Sequence, residues 1–237
     1  LNHMNKVICM VSGAVLVAGL MSASAANITG KVTFKGTAPA ERVLPLDPSC
    51  GKLHPAGSKP TTRFYVVGPK GELADTFVVV DGLSGKSTGP SQAPAVLDQV
   101  GCEYTPYVMA IQTGQKLLVK NSDPVLHNVH PTPKPGTGNK EMNRAQLPKG
   151  PDLEFVFPDA EEFLRFKCDV HPWMFAYISV VDHPYFDVTK KEGTFKIANV
   201  PPGKYVVKAK HRKVGEISQE VEVKDSDVQI DFVLELK

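Results

Sequence analysis

The residues with the most chemistry to offer lie in one stretch, 163–175, F-L-R-F-K-C-D-V-H-P-W-M-F. It reads as a strand that ends at Cys168 and runs into a tight loop. His171 and Met174 follow Cys168 at steps of three, so a thiolate, an imidazole and a thioether can turn toward one point. These donors suit copper cycling between Cu(I) and Cu(II). Thiolate and thioether favour the reduced ion, imidazole binds both, and a weak axial Met on a His₂Cys site tunes the potential. Such a site needs a second imidazole, and His127 in N-S-D-P-V-L-H-N-V-H is the best candidate. Zinc could use Cys168, His171 and His127, but Met is a poor ligand for it and closed zinc sites take four N or S donors. The plainest alternative is a buried structural thiol, a loop histidine and a core methionine. Haem attachment would need C-x-x-C-H, which is absent.

C-D-V-H-P-W-M with H-N-V-H upstream resembles the cupredoxins, the small blue copper proteins of the amicyanin and plastocyanin kind. The similarity extends over roughly 95–182, where Tyr104–Pro106, the Gly114-Gln115 turn and 116–121 fall in register with that family. The resemblance implies a Greek-key β-sandwich holding one copper ion on His127, Cys168, His171 and Met174. It also implies that the side chain of Asn128, after the first His, bridges to the ligand loop, with Asn121 in a similar strand-tying role. Pro172 would stiffen the loop and remove a donor near the sulfur. His171 would be the electron port, its far ring edge exposed in an apolar patch of Pro172, Trp173 and Phe175.

The chain has 237 residues and a formal net charge of +2, so charge implies neither a nucleic-acid nor a membrane-surface partner. Twenty prolines, nineteen glycines and many short Val-rich runs point to an all-β protein. Lys6, the apolar run 7–21 and Ala23-Ser24-Ala25 read as a cleavable targeting segment, 1–25, with export to the periplasm. A membrane attachment would arise only if that segment stayed uncleaved. Of the four cysteines, Cys9 falls in this segment, which leaves an odd three. An oxidising compartment favours a Cys50–Cys102 disulfide with Cys168 reserved for metal. Two free thiols, or ligation by Cys50 with His54, are the alternatives.

Outside the copper-like region, I-T-G-K-V-T-F-K-G at 28–36 alternates, with Ile28, Val32 and Phe34 facing inward. Residues 63–67 and 76–81 read as strands, and 82–94 as a surface loop. In the tail, 194–198, 204–211, 218–223 and 228–236 read as strands, and G-T-F-K-I-A-N-V-P-P-G-K-Y resembles the carboxypeptidase regulatory-like, transthyretin-like sandwiches. Four tail strands are few for such a sandwich, and the missing ones match 28–36 and 77–81. The expected division is therefore 26–94 and 183–237 as two parts of one sandwich, with the copper domain 95–182 inserted; a tandem arrangement is the alternative. The loop 131–151 with Lys134, Lys140, Arg144 and Lys149 could steer an acidic partner or be simply hydrated. Lys208, Lys210 and Arg212 read as a solvated strand face.

The resulting expectation is a non-enzymatic single-electron carrier serving a redox protein such as a c-type cytochrome or a periplasmic oxidoreductase. A multicopper oxidase or nitrite reductase would need further His clusters, which the sequence lacks. Copper handling, or a structural sandwich without a redox role, are the competing functions.

Overall fold

The computed structural model describes residues 24–236 and, among these, is all-β apart from two short helical turns, Pro48–Gly51 and Gly89–Ser91. The apolar run of the targeting segment and Cys9 lie outside the described residues.

One sandwich is built from both ends of the chain. Ala26–Lys35 pairs antiparallel with Thr194–Val200, and parallel with Val228–Gln229 and Phe232–Glu235. Its alternation buries Ile28, Val32 and Phe34 against Phe195, Ile197, Phe232 and Leu234. The closing strand, expected as one run, is broken because the Asp231 carboxylate takes the Lys31 N–H at 2.8 Å in place of a ladder carbonyl. Gly30 is required at this jog: a Cβ there would stand 1.7 Å from the carbonyl oxygen of Ile230. The facing sheet runs Phe186–Val188, Phe77–Val80, Gly203–His211, Gly215–Val223. Phe77–Val80 is buried on both faces, which explains an unbroken F-V-V-V in place of alternation. Residues 63–67 form no strand; a single bridge joins Val67 to Leu73. Arg63 is instead held by side-chain bonds, to the Tyr104 carbonyl at 2.8 Å and to Glu103 at 3.0 Å.

The middle of the chain makes the second sandwich. One sheet contains Val108–Gln112, Phe175–Val181, Glu161–Lys167, His127–Thr132 and Arg144–Gln146; the other contains Tyr104–Thr105, Ala95–Gln99, Lys116–Asn121 and Leu153–Val156. Phe155, Phe157 and Phe166 interlock edge to face and stacked at its centre, with centroids 5.9–6.4 Å apart. Two segments expected as loop are strand. The loop expected at 131–151 begins inside the strand His127–Thr132 and contains Arg144–Gln146, which pairs with His127–Val129. Their polar composition hid them, because their buried faces carry His, Asn and Gln.

The two sandwiches share an apolar seam. The register shift between Glu161 and Leu164 leaves Phe163 at φ 55°, and its ring meets Phe77 edge-on at 6.1 Å. Arg212 is not part of a solvated face: its guanidinium lies 3.2 Å from the centre of the Tyr177 ring across the seam. Lys210 also bridges the halves, 2.6 Å from Glu162.

Candidate metal centre

Cys168 follows the strand Glu161–Lys167, and the loop after it closes on itself before Phe175–Val181 begins. The Met174 N–H donates to the His171 carbonyl at 2.9 Å, and the Cys168 N–H reaches the Met174 carbonyl at 3.3 Å. This small hydrogen-bonded turn fixes the C-x-x-H-x-x-M spacing in space. His127 opens the neighbouring strand of the same sheet, so the sheet edge delivers the remote imidazole to the loop.

The three strong donors converge. Nδ1 of His127 and Nδ1 of His171 are 2.9 Å apart, and the Cys168 sulfur is 3.7 Å from His171 Nδ1. All three residues are buried. Donors bonded to one ion at about 2.0–2.3 Å stand roughly 3–4 Å from each other, so these separations fit a single metal ion. Met174 is buried in the same core cluster as Cys168.

The far nitrogens are engaged too. His127 Nε2 donates to the Asp123 carboxylate at 2.9 Å, and His171 Nε2 faces Asp47 at 3.5 Å. With its Nε2–H on Asp123, His127 turns its Nδ1 lone pair toward His171 Nδ1, so a proton on the second ring or a cation between the two satisfies it. The electrostatics of the pocket agree. Burial pushes the Cys168 thiol up, but the His127 ring and the N–H groups around the sulfur outweigh it and hold the thiol below its usual range. Burial depresses His127, yet Asp123 and Cys168 overcome this and raise it. His171 is lowered, by burial first and then by the neighbouring His127 charge. The pocket is thus disposed toward a thiolate with a positive charge beside it, the electrostatic state that a cation replaces.

Asn128 ties the two ligand segments. Its Oδ1 accepts the Asp169 N–H at 2.6 Å and the Val170 N–H at 3.3 Å, while its own N–H points at the Cys168 sulfur at 3.5 Å. Tyr104 braces this strap from below, its hydroxyl donating to the Asn128 carbonyl at 2.9 Å. Asn121 shapes the turn before His127: its Nδ2 donates to the Val125 and Leu147 carbonyls, and its Oδ1 accepts the Asp123 N–H. His130 turns away from the pocket, its two ring nitrogens on Asp169 and Glu141 at 2.7 Å each. Cys50 and Cys102 are disulfide-bonded, and His54 is occupied by the Gly101 carbonyl at 2.8 Å.

The exposed-edge expectation for His171 is corrected. The residue is only 4 % exposed, with Asp47 at 3.5 Å from its Nε2 and the Cys50 and Cys102 sulfurs within 4.8 Å of a ring nitrogen. Trp173 is half-buried, its ring centroid 5.3 Å from that of His171 and its Nε1–H on the Cys102 carbonyl at 3.0 Å. Pro172 is exposed, and Phe175 is half-buried under the Arg165 guanidinium. Beside Trp173 and Phe175 opens a cavity of about 310 Å³, walled also by Val43, Leu44 and Phe64.

Asp123 and Asp47, which face the two imidazoles, are the residues of this pocket that sequence reasoning missed. Asp47 carried a local signal, since D-P-S-C is a helix start with Asp at the N-cap and Pro after it. Nothing local revealed that this cap would reach His171.

The centre of the chain forms one β-sandwich, and the half built from the chain ends is a second. Residues 185–235 match the family model described as the BOS complex subunit NOMO1-like, second beta sandwich domain. A search of curated proteins returns no match. Among solved structures, amicyanin in its Cu(I) form, as a methionine-to-alanine mutant, is 18 % identical over 44 % of this chain and 97 % of its own, with a TM-score of 0.33. A purple cupredoxin from Nitrosopumilus maritimus is 23 % identical over 36 % of this chain and 98 % of its own, with a TM-score of 0.30. The copper-containing nitrite reductase of Thermus scotoductus SA-01 is 19 % identical over 58 % of this chain, with a TM-score of 0.34, and the match spans 27 % of the reductase chain.

Proposed function

We propose that this protein is an exported, single-site copper protein that carries electrons one at a time. The observation that carries this reading is the meeting of His127 Nδ1, His171 Nδ1 and the Cys168 sulfur inside one buried pocket. Copper bound there would supply one-electron redox chemistry at a mixed sulfur and nitrogen site. His127, Cys168 and His171 would hold it, and Met174 would stand as the weak fourth donor. The strand ends and the self-bonded loop restrict movement of the donors, so little rearrangement accompanies a change of oxidation state. Asn128 keeps two N–H groups engaged with its own oxygen and sets the spacing between the two ligand segments. With His171 covered, Trp173 is the aromatic group that leads from the site toward solvent, and its cavity is the place for a redox protein such as a c-type cytochrome or a periplasmic oxidoreductase to approach.

The cover over His171 favours a second reading, in which the protein retains or hands on copper rather than exchanging electrons. Loading the purified protein with Cu(II) and recording its visible spectrum tests the main proposal. An intense thiolate-to-copper charge-transfer band, abolished by Cys168→Ser, together with reversible cyclic voltammetry, is the expected result. A colourless loaded protein overturns the electron carrier, and a coloured protein that exchanges electrons only very slowly selects copper retention.

A further inference from the structure

A carboxylate stands behind each imidazole, bonded to His127 and 3.5 Å from His171. Asp123 takes the far nitrogen of His127 and is itself gripped by the Gly101 N–H at 2.7 Å and the Cys102 N–H at 2.8 Å. Asp47 faces the far nitrogen of His171 and is gripped by the Ser49 N–H at 2.7 Å and the Cys50 N–H at 2.9 Å. The two cysteines that present these N–H groups are bonded to each other. The Cys50 and Cys102 sulfurs lie within 4.8 Å of a His171 ring nitrogen, and the Cys102 sulfur within 4.8 Å of donor atoms of Asp123 and His127.

We propose that Asp123 is a positioning residue that holds His127 by Nε2 so that its Nδ1 faces the metal position, that Asp47 acts on His171 through its charge across 3.5 Å, and that the Cys50–Cys102 cystine is the strut fixing one carboxylate relative to the other. This rests on the copper reading above and extends it to the control of the site's potential. A ring that donates Nε2–H to a carboxylate carries its lone pair on Nδ1 and is a more basic ligand. The negative charge one ring away also favours the more positive ion, so both carboxylates bias the site toward Cu(II). The bias is unequal. The Asp123 side chain is 5 % exposed and directly bonded, whereas the Asp47 side chain is 42 % exposed and stands 3.5 Å away, where water screens it.

The experiment compares Asp123→Asn and Asp47→Asn in the full disulfide-bonded protein by voltammetry and visible spectroscopy. Each substitution keeps an acceptor oxygen and removes the charge. Asp123→Asn is expected to shift the Cu(I)/Cu(II) partition toward Cu(I) by about tenfold or more, which is ~59 mV per tenfold for a one-electron couple, with the charge-transfer band retained. Asp47→Asn is expected to shift it in the same direction by a smaller factor. Asp123→Ala, which also frees the ring, is expected to broaden the band, and Asp123→Asn to restore its shape. Nitrogen NMR of the metal-free wild-type protein at alkaline pH is expected to find His127 protonated on Nε2; a proton on Nδ1 overturns the proposal even if Asp123 variants do not fold. An unchanged potential in a coloured, folded Asp123→Asn protein also overturns it and leaves the copper reading standing. A wild-type protein that takes up no copper defeats the copper reading instead, while the tautomer still decides whether Asp123 positions the ring.

Discussion

Both halves of this molecule bury histidines, and they treat them in opposite ways. In the central sandwich His127 and His171 meet carboxylates at one nitrogen and each other, beside a thiol, at the second. In the half built from the chain ends, the His211 Nδ1 accepts the Lys213 and Val214 N–H groups at 3.3 and 3.2 Å. His183 lies where the halves join, and its Nδ1 accepts the Tyr185 N–H at 3.1 Å. Burial and the Arg212 charge push His211 down to about 4. These rings are neutral pegs that satisfy a turn. Burial of an imidazole therefore does not mark a ligand; the groups at its two nitrogens do.

The largest expected effect breaks the covalent support on one side of this comparison. The disulfide closes a separation of 52 residues that runs through Phe77–Val80 of the chain-end sandwich and Ala95–Gln99 of the central one, and both cysteines anchor in the central half. Loop entropy puts its contribution at about 4 kcal/mol. Cys50→Ala with Cys102→Ala should lower the stability of the central half by that order, while the Ala26–Lys35 sheet, which holds neither cysteine, keeps its protection. Guanidinium unfolding with hydrogen exchange on the metal-free protein measures both. Equal loss of protection in the two sandwiches would show that they unfold as one unit.

The next prediction concerns the other half. His211 is depressed from 6.5 to about 4, so the unfolded chain binds its proton first as pH falls. The stability is fully present above pH 6.5 and is lost as pH falls toward about 4, by up to about 3 kcal/mol. Urea midpoints measured from pH 7 to pH 4 should fall accordingly, and His211→Gln should flatten that slope. A slope unchanged by the substitution would contradict the neutral-peg account.

A smaller effect sharpens the description of the ligand loop. Asn128→Ala leaves the Asp169 and Val170 N–H groups without their acceptor and should cost about 1–3 kcal/mol. If the loop holds copper as proposed, the same change should speed copper release to a chelator, because those N–H groups lie between Cys168 and His171. Normal release from a destabilised protein would confine Asn128 to a structural role.

How far the sequence alone could be read follows from the range of the interactions involved. The loop donors Cys168, His171 and Met174 were legible because one short turn presents all three, and turn geometry is local. Ile28, Val32 and Phe34 were legible because a strand shows its buried face every second residue. The strand at His127–Thr132 was obscured because its buried positions mix His127 and Asn128 with Val129, so no apolar period marks it. The exposure of His171 was beyond local reading because its neighbours are Asp47 and the Cys50–Cys102 cystine, which sequence places far away and folding brings back.

What the sequence by itself determined is a set of local quantities: the donor types and their spacing, the alternation of the strands, and an odd thiol left over when two cysteines pair. The tertiary structure alone decided which nitrogen of each imidazole faces inward, which carboxylate stands behind it, and whether the ring reaches water. Those are matters of orientation between segments that meet only after folding, and a hydrogen bond or a screened charge changes its strength over a few tenths of an ångström.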